Sequence, residues 1–258
     1  MQMFSNQRIN IIKQLLLEKK QVEVNSLASL LNVSNVTIRK DLDALEKEGF
    51  LHKVHGGAIL VENPVSPEPD EQFDLNIQVH EMIADLAVTL IDDGDNFYLG
   101  PGATCLALSK KLNQKKNITV ITNNASALPH LSSPSINLLF IGGDVITYNN
   151  QMFTHGKKAL AYLDDIFVNK AFISSDCIDL NAGITINHSY SLEVYQKILK
   201  RSRQIILLAA SSKFDKTALQ VLCPLNELSA VVTDNEPPEA YKQYFYQNNI
   251  KLLTFLDL

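Results

Sequence analysis

Residues 33–42 read Val33-Ser34-Asn35-Val36-Thr37-Ile38-Arg39-Lys40-Asp41-Leu42, with Leu45-Glu46 close behind and His55-Gly56-Gly57-Ala58 a few residues on. At about 100° per residue, Ile38, Leu42 and Leu45 fall on one stripe, while Val36, Arg39, Lys40, Asp43 and Lys47 project from the other side. The spacing predicts an amphipathic helix starting at Asn35, because the Ser34 hydroxyl can accept from the free N–H groups of a first turn there. Any solvated surface helix also carries a charged outer face, so the stretch takes its meaning from its flanks.

Upstream, Ile9, Ile12, Leu15 and Leu16 mark a first amphipathic helix. After the extended piece Val22-Glu23-Val24, Asn25 stands as the cap of a short second helix running to Leu31. Only Asn32 and Val33 separate that helix from Ser34, a turn tight enough to cross two helices steeply, as in a helix-turn-helix unit placed here from Val22 to Asp41. Downstream, Gly49 is a stop signal, and Phe50 to His55 alternates as a strand of a small hairpin, a wing. The candidate contacts to duplex DNA are Ser34, Asn35, Val36, Thr37, Arg39 and Lys40, with Lys53 and His55 from the wing. Arg39 has the fork that grips a guanine edge, whereas Lys40 offers a point charge suited to the phosphate backbone.

Thr37-Ile38-Arg39-Lys40-Asp41-Leu42, Leu45-Glu46, Gly49 and His55-Gly56-Gly57-Ala58 resemble the amino-terminal signature of DeoR-family bacterial transcription regulators. Lys40 departs from it, standing where the family more often has a second Arg.

The chain has 258 residues, 46% of them hydrophobic, enough for a second core behind a DNA-binding module. No run of about 18 apolar residues suggests a membrane span, and the start Met1 to Arg8 lacks a signal-peptide layout, so a cytoplasmic protein is expected. Cys105, Cys177 and Cys223 are too scattered to frame zinc and read as buried thiols; no metal or cofactor is expected. The sequon Asn117-Ile118-Thr119 is then a chance match. The net charge of −5 is unevenly spread: residues 1–60 hold 8 Lys and Arg against 6 Asp and Glu, the remainder 15 against 22. So small a basic surplus predicts modest affinity per module and a homodimer or homotetramer on one operator.

The segment 61–71 holds three prolines and four acidic residues without apolar periodicity, and reads as a linker between a DNA-binding domain at 1–60 and a second domain at 72–258. Beyond it, short apolar runs at 96–99, 118–122, 137–141, 171–174, 205–209, 230–233 and 252–255 alternate with helical stretches. That alternation predicts an α/β domain with a mostly parallel sheet, whose ligands bind at the carboxyl ends of the strands. Gly100-Pro101-Gly102-Ala103-Thr104 feeds a helix amino terminus suited to a phosphate, although many such turns bind nothing. Thr122-Asn123-Asn124 and Gly142-Gly143 end two further strands with small polar or bare backbone groups.

This half resembles the carboxy-terminal effector domain of DeoR-family regulators, a fold similar to ribose-5-phosphate isomerase. The carriers are Asp93-Gly94-Asp95, residues 100–104, Val120 to Asn124, Gly142-Gly143, Ala171 to Asp179, Gly183-Ile184-Thr185 and Ser212-Lys213-Phe214. The resemblance implies a phosphorylated-sugar effector, with Gly100, Gly102, Ala103, Thr104, Thr122, Asn123, Asn124, Gly142 and Gly143 around it and Asp176 and Lys213 bordering the sugar. On their own, Asp176 also fits a capping carboxylate and Lys213 a solvated amine. Ala103 stands where the family often has a hydroxyl, and Glu81 where a cation is common, which implies either a less acidic effector or an altered surface. An isomerase would need a base and an electrophile, roles open to Asp176 and Lys213. Ser174 to Asp179 lacks the Gly-Ala-Asp-Glu pattern of that enzyme, so a regulator is the preferred reading over an isomerase-like enzyme fused to a DNA-binding module; a repressor released by its effector is expected, and activation or a corepressor ligand would fit the same residues.

Overall fold

The computed structural model describes residues 8–9, 11–12, 15–16, 21–31, 33–47, 51–54, 56–60, 71–187 and 189–255. The chain divides into two compact units, residues 1–73 and 74–258. Gly49, His55 and residues 61–70 of the expected linker lie outside the described residues.

In the first unit, β1 (Gln21–Glu23) leads directly into α1 (Val24–Leu31), and α2 spans Asn35–Lys47. The hairpin β2 (Leu51–Val54) and β3 (Gly57–Leu60) takes β1 as its third strand, in the order β1-β3-β2 with every pairing antiparallel. The predicted stripe of α2 forms the core: Ile38, Leu42 and Leu45 are buried with Ile12, Leu16, Leu27, Leu31 and Leu51. Each such side chain contributes about 1.5–3 kcal/mol by leaving water. Asp41 shares that stripe and is buried too, its carboxylate held by the Arg8 guanidinium at 2.5 and 3.0 Å. The Ser34 cap forms as expected, its Oγ accepting the Thr37 N–H at 3.2 Å. Asn25 does not cap α1. It lies within the first turn, and its Oδ1 instead accepts from Asn35 Nδ2 at 2.9 Å, tying the two helices together.

The second unit begins within α3 (Glu71–Ala87) and is built on seven parallel strands. These are β4 (Asn96–Leu99), β5 (Ile118–Thr122), β6 (Ile136–Phe140), β9 (Val168–Ser174), β12 (Ser202–Leu208), β14 (Ala230–Val232) and β15 (Lys251–Leu253). Their order is β15-β14-β12-β9-β4-β5-β6. The expected runs all appear here, displaced by a few residues at their ends. Both faces of the sheet are buried, and neighbours alternate between them. Tyr98, Ala171, Ile173, Ile205 and Leu207 join one core; Phe97, Leu99, Phe172, Ile206 and Leu208 join the other, where the Phe97 and Phe172 rings meet edge to face at 5.4 Å. Two-sided burial explains why these strands read as continuous apolar runs.

From β4 the chain moves outward through β5 and β6, then returns to the other side of β4 and continues outward from β9. The switch point therefore lies between the carboxyl ends of β4 and β9. Other elements of this unit are α4 (Ala103–Lys111), the hairpin β7 (Asp144–Tyr148) and β8 (Gln151–His155), α5 (Gly156–Tyr162), the sheet β10 (Cys177–Asp179), β11 (Gly183–Ile186) and β13 (Gln220–Cys223), α6 (Leu192–Leu199) and α7 (Glu239–Gln247). The β7–β8 loop is Asn149-Asn150, both with positive φ (47° and 56°), the requirement of the tight turn whose twist matches a hairpin. The three cysteines are free thiols, Cys105 and Cys223 buried and Cys177 partly so. No described helix is long and apolar enough to cross a membrane.

Candidate functional site

On α2, Ser34, Asn35, Val36, Arg39 and Lys40 are exposed and Thr37 is half-buried. Among the described residues, Arg39 and Lys40 have no ion-pair partner, so both cations are available on the outward face. Val36 is 62% exposed, an unusual position for an apolar side chain in the first turn of a surface helix. Lys53, expected at the DNA, is exposed and has partners of its own. Its ammonium pairs with Asp43, lies 3.6 Å from Glu46, and its backbone N–H donates to Glu46 at 2.8 Å. Those contacts fasten the wing to α2.

In the second unit a cavity of about 320 Å³ opens at the switch point. The loops after β4, β9 and β12 build its floor and contribute Gly102, Ala103, Thr104, Asp176 and Lys213 from the expected set. Gly102 has φ of +115°, and a Cβ there would stand 2.0 Å from Ser174 Oγ, so only glycine fits. The loop is fixed through the Pro101 carbonyl, which accepts from Ser174 Oγ and Tyr195 OH, each at 2.9 Å.

The remaining expected residues, Gly100, Thr122, Asn123, Asn124, Gly142 and Gly143, do not line the cavity. The Thr122 hydroxyl donates to the Leu99 carbonyl at 2.6 Å, and Asn124 Nδ2 donates to the Gly100 carbonyl at 3.3 Å, so these side chains brace the 100–104 loop from behind. Asn123 accepts from Tyr98 OH at 2.7 Å and donates to the Thr154 carbonyl at 2.8 Å, pinning the base of the β7–β8 hairpin. A Cβ on Gly100 would lie 2.8 Å from the Tyr195 ring, so close side-chain packing demands this glycine. Glu81 does not line the cavity and pairs with Lys110 at 3.0 Å and Lys111 at 3.1 Å.

Elements absent from the sequence reading complete the walls: His80 from α3, Tyr148, Gln151 and Phe153 from the hairpin, and Ser191 and Tyr195 at α6. His80 Nδ1 lies 2.9 Å from Thr104 Oγ1. The Lys213 ammonium donates to the Ser175 carbonyl, and Asp176 accepts the Asn187 N–H at 2.7 Å. Among the described residues, two serine hydroxyls of the wall, Ser175 Oγ and Ser191 Oγ, are buried without a hydrogen-bond partner. Buried polar groups are rarely left so, and these mark capacity for ligand oxygens. Burial lowers the pKa of Lys213, with the Asp176 charge opposing the shift. Burial and then the Lys213 charge hold His80 near 4, against an ordinary 6.5, so its imidazole is neutral at pH 7.

That shift sets a pH dependence. Between pH 6.5 and about 4 the unfolded chain binds a proton at residue 80 that the native chain does not, so this contribution to stability is complete above pH 6.5 and falls as pH drops towards 4. Thermal midpoints recorded across this window are expected to fall less steeply in His80→Gln than in the wild type; parallel curves would remove His80 as the cause.

A family model described as the DeoR-like helix-turn-helix domain matches residues 8–63, and one described as the DeoR C terminal sensor domain matches residues 75–235. The chain belongs to the DeoR family of transcriptional regulators. Its relatives include the HTH-type transcriptional regulator GolR of Listeria innocua, 30% identical over 94% of this chain and 96% of that protein. The lactose phosphotransferase system repressor of Staphylococcus aureus is 32% identical over 92% of this chain and 95% of that protein. A solved D-ribose-5-phosphate isomerase in complex with phospho-erythronic acid aligns with a TM-score of 0.39 and 18% identity over 53% of each chain. In this DeoR regulator, α2 is therefore the second helix of the helix-turn-helix, and the cavity belongs to the sensor domain.

Proposed function

We propose that this regulator represses a carbohydrate operon in the cytoplasm, as a homodimer or homotetramer, and releases its operator when a phosphorylated sugar occupies the sensor cavity. The observation that carries the reading is the cavity itself: a partly buried lysine, the amino end of α4 and two unpartnered serine hydroxyls converge at the switch point of a parallel sheet. A phosphate would lie against the first N–H groups of α4, Thr104 and Lys213, where the helix dipole and the ammonium both favour negative charge. Asp176 would accept from sugar hydroxyls. Sensing without turnover fits the relatives, which are named as regulators.

On DNA, Arg39 would read a base edge, Lys40 would contact the backbone, and the exposed Val36 would pack on a thymine methyl. Arg39→Ala is expected to cost about 1–3 kcal/mol in operator affinity. Operator fragments selected from random duplexes and titrated in a gel shift give that number; unchanged affinity would take Arg39 out of the interface. In the same assay a panel of sugar phosphates is expected to include one that releases the wild-type complex, while its unphosphorylated counterpart does not. Release by neither member of any pair would refute the effector class.

A further inference from the structure

We infer that Gln151 is the selectivity gate of the sensor cavity: its side-chain amide holds the hydrogen bond at the amino end of α4 that an effector anion needs, and only an anion displaces it. Gln151 Oε1 accepts the N–H of Gly102, the residue immediately before α4, at 3.0 Å. A backbone N–H can only donate, so the amide oxygen must face it. Gln151 lies at the tip of the β7–β8 hairpin, directly across from Tyr148 and beside the Asn149-Asn150 turn. Tyr148, Gln151 and Phe153, on one face of the hairpin, line the cavity. The tip is thus latched to the 100–104 loop by Gln151, and the base is held separately through Asn123 and Thr154.

The bond to Gly102 is a neutral one. A phosphate oxygen makes a charge-assisted bond roughly twice as strong with the same donor. Exchange of the amide for an anion is therefore downhill, whereas a sugar hydroxyl, itself a neutral acceptor, gains nothing by it. The unpartnered hydroxyls of Ser175 and Ser191 stand in the same wall to take up further ligand oxygens. Displacing Gln151 frees the hairpin tip, so anion binding and hairpin release become one event.

The inference rests on the cavity being the anion site, and the test separates the two. The probe is inorganic phosphate, with thermal midpoint as readout, on the full-length wild type and on Gln151→Met, which keeps side-chain length and removes the acceptor. Losing one neutral hydrogen bond as competitor is expected to lower the half-saturating phosphate about three- to tenfold, and Gln151→Ala is expected to do the same. Gln151→Glu, which parks a carboxylate on the Gly102 N–H, is expected to abolish the phosphate response. A wild-type response with equal or weaker binding in both Met and Ala variants would overturn the gate while leaving the cavity standing. No response in any of the four proteins would overturn the anion site and the gate together.

Discussion

Asp41→Ala is expected to unfold the helix-turn-helix unit and abolish operator binding while leaving the sensor domain folded. Asp41 is 5% exposed and sits between Ile38 and Leu42 on the core stripe of α2, with both carboxylate oxygens committed to Arg8. Truncation removes two charge-assisted hydrogen bonds to the Arg8 guanidinium, each worth about 1.5–3 kcal/mol. A unit of some 60–70 residues has only about 3–10 kcal/mol to lose at the usual 0.05–0.15 kcal/mol per residue. Calorimetry of the full chain should then lose or lower one transition and keep the other. Replacing both partners, Arg8→Met with Asp41→Leu, should recover most of the stability, because a well-packed apolar pair often matches a buried ion pair. An Asp41→Ala protein with wild-type transitions would show that the pair holds nothing.

What could be read in advance follows from how local the determining physics is. The helix-turn-helix was readable because its cap, stripe and tight turn lie within about twenty residues and obey one helical period. The same periodicity puts Asp41 on the stripe of Ile38 and Leu45, a carboxylate in an apolar row, which signals a buried partner; spacing could not say that the partner is Arg8, 33 residues away. The seven parallel strands were readable because burial on both faces leaves unbroken apolar runs. The β7–β8 hairpin was not, since half of its residues face outward and its one local mark is Asn149-Asn150.

For the cavity, the loops after β4, β9 and β12 could be placed from topology alone, and they do supply the floor. Thr122 to Asn124 misled because polar residues at a strand end look the same whether they face a ligand or, as here, backbone carbonyls of β4, the 100–104 loop and the β7–β8 hairpin. His80, Gln151 and Ser191 are isolated in the sequence and become neighbours only through the packing of α3, the hairpin and α6 on the sheet.

Lys213→Met is expected to give a regulator blind to its effector but fully competent on DNA. The ammonium donates to the Ser175 carbonyl, lies in the field of Asp176 and adds its charge to burial in holding His80 down. Methionine keeps the apolar stem and removes that charge. With a bound phosphate the lost interaction is that of a desolvated charge pair, about 2–5 kcal/mol, or roughly 30- to several-thousand-fold in affinity. The substitution gives up the bond to the Ser175 carbonyl but also removes a charge that burial disfavours, and the two effects oppose. The pKa of Lys213 is lowered by burial, so in the native state its charge is a cost that methionine relieves. Thermal midpoint without phosphate is therefore expected to stay close to that of the wild type, which distinguishes loss of binding from loss of fold. Removing the neighbouring charge should also let the pKa of His80 climb from about 4, a change readable by NMR titration of its imidazole. Operator release at unchanged effector concentration in Lys213→Met would place the effector elsewhere, whereas a fixed His80 titration would show that the two side chains do not share one field.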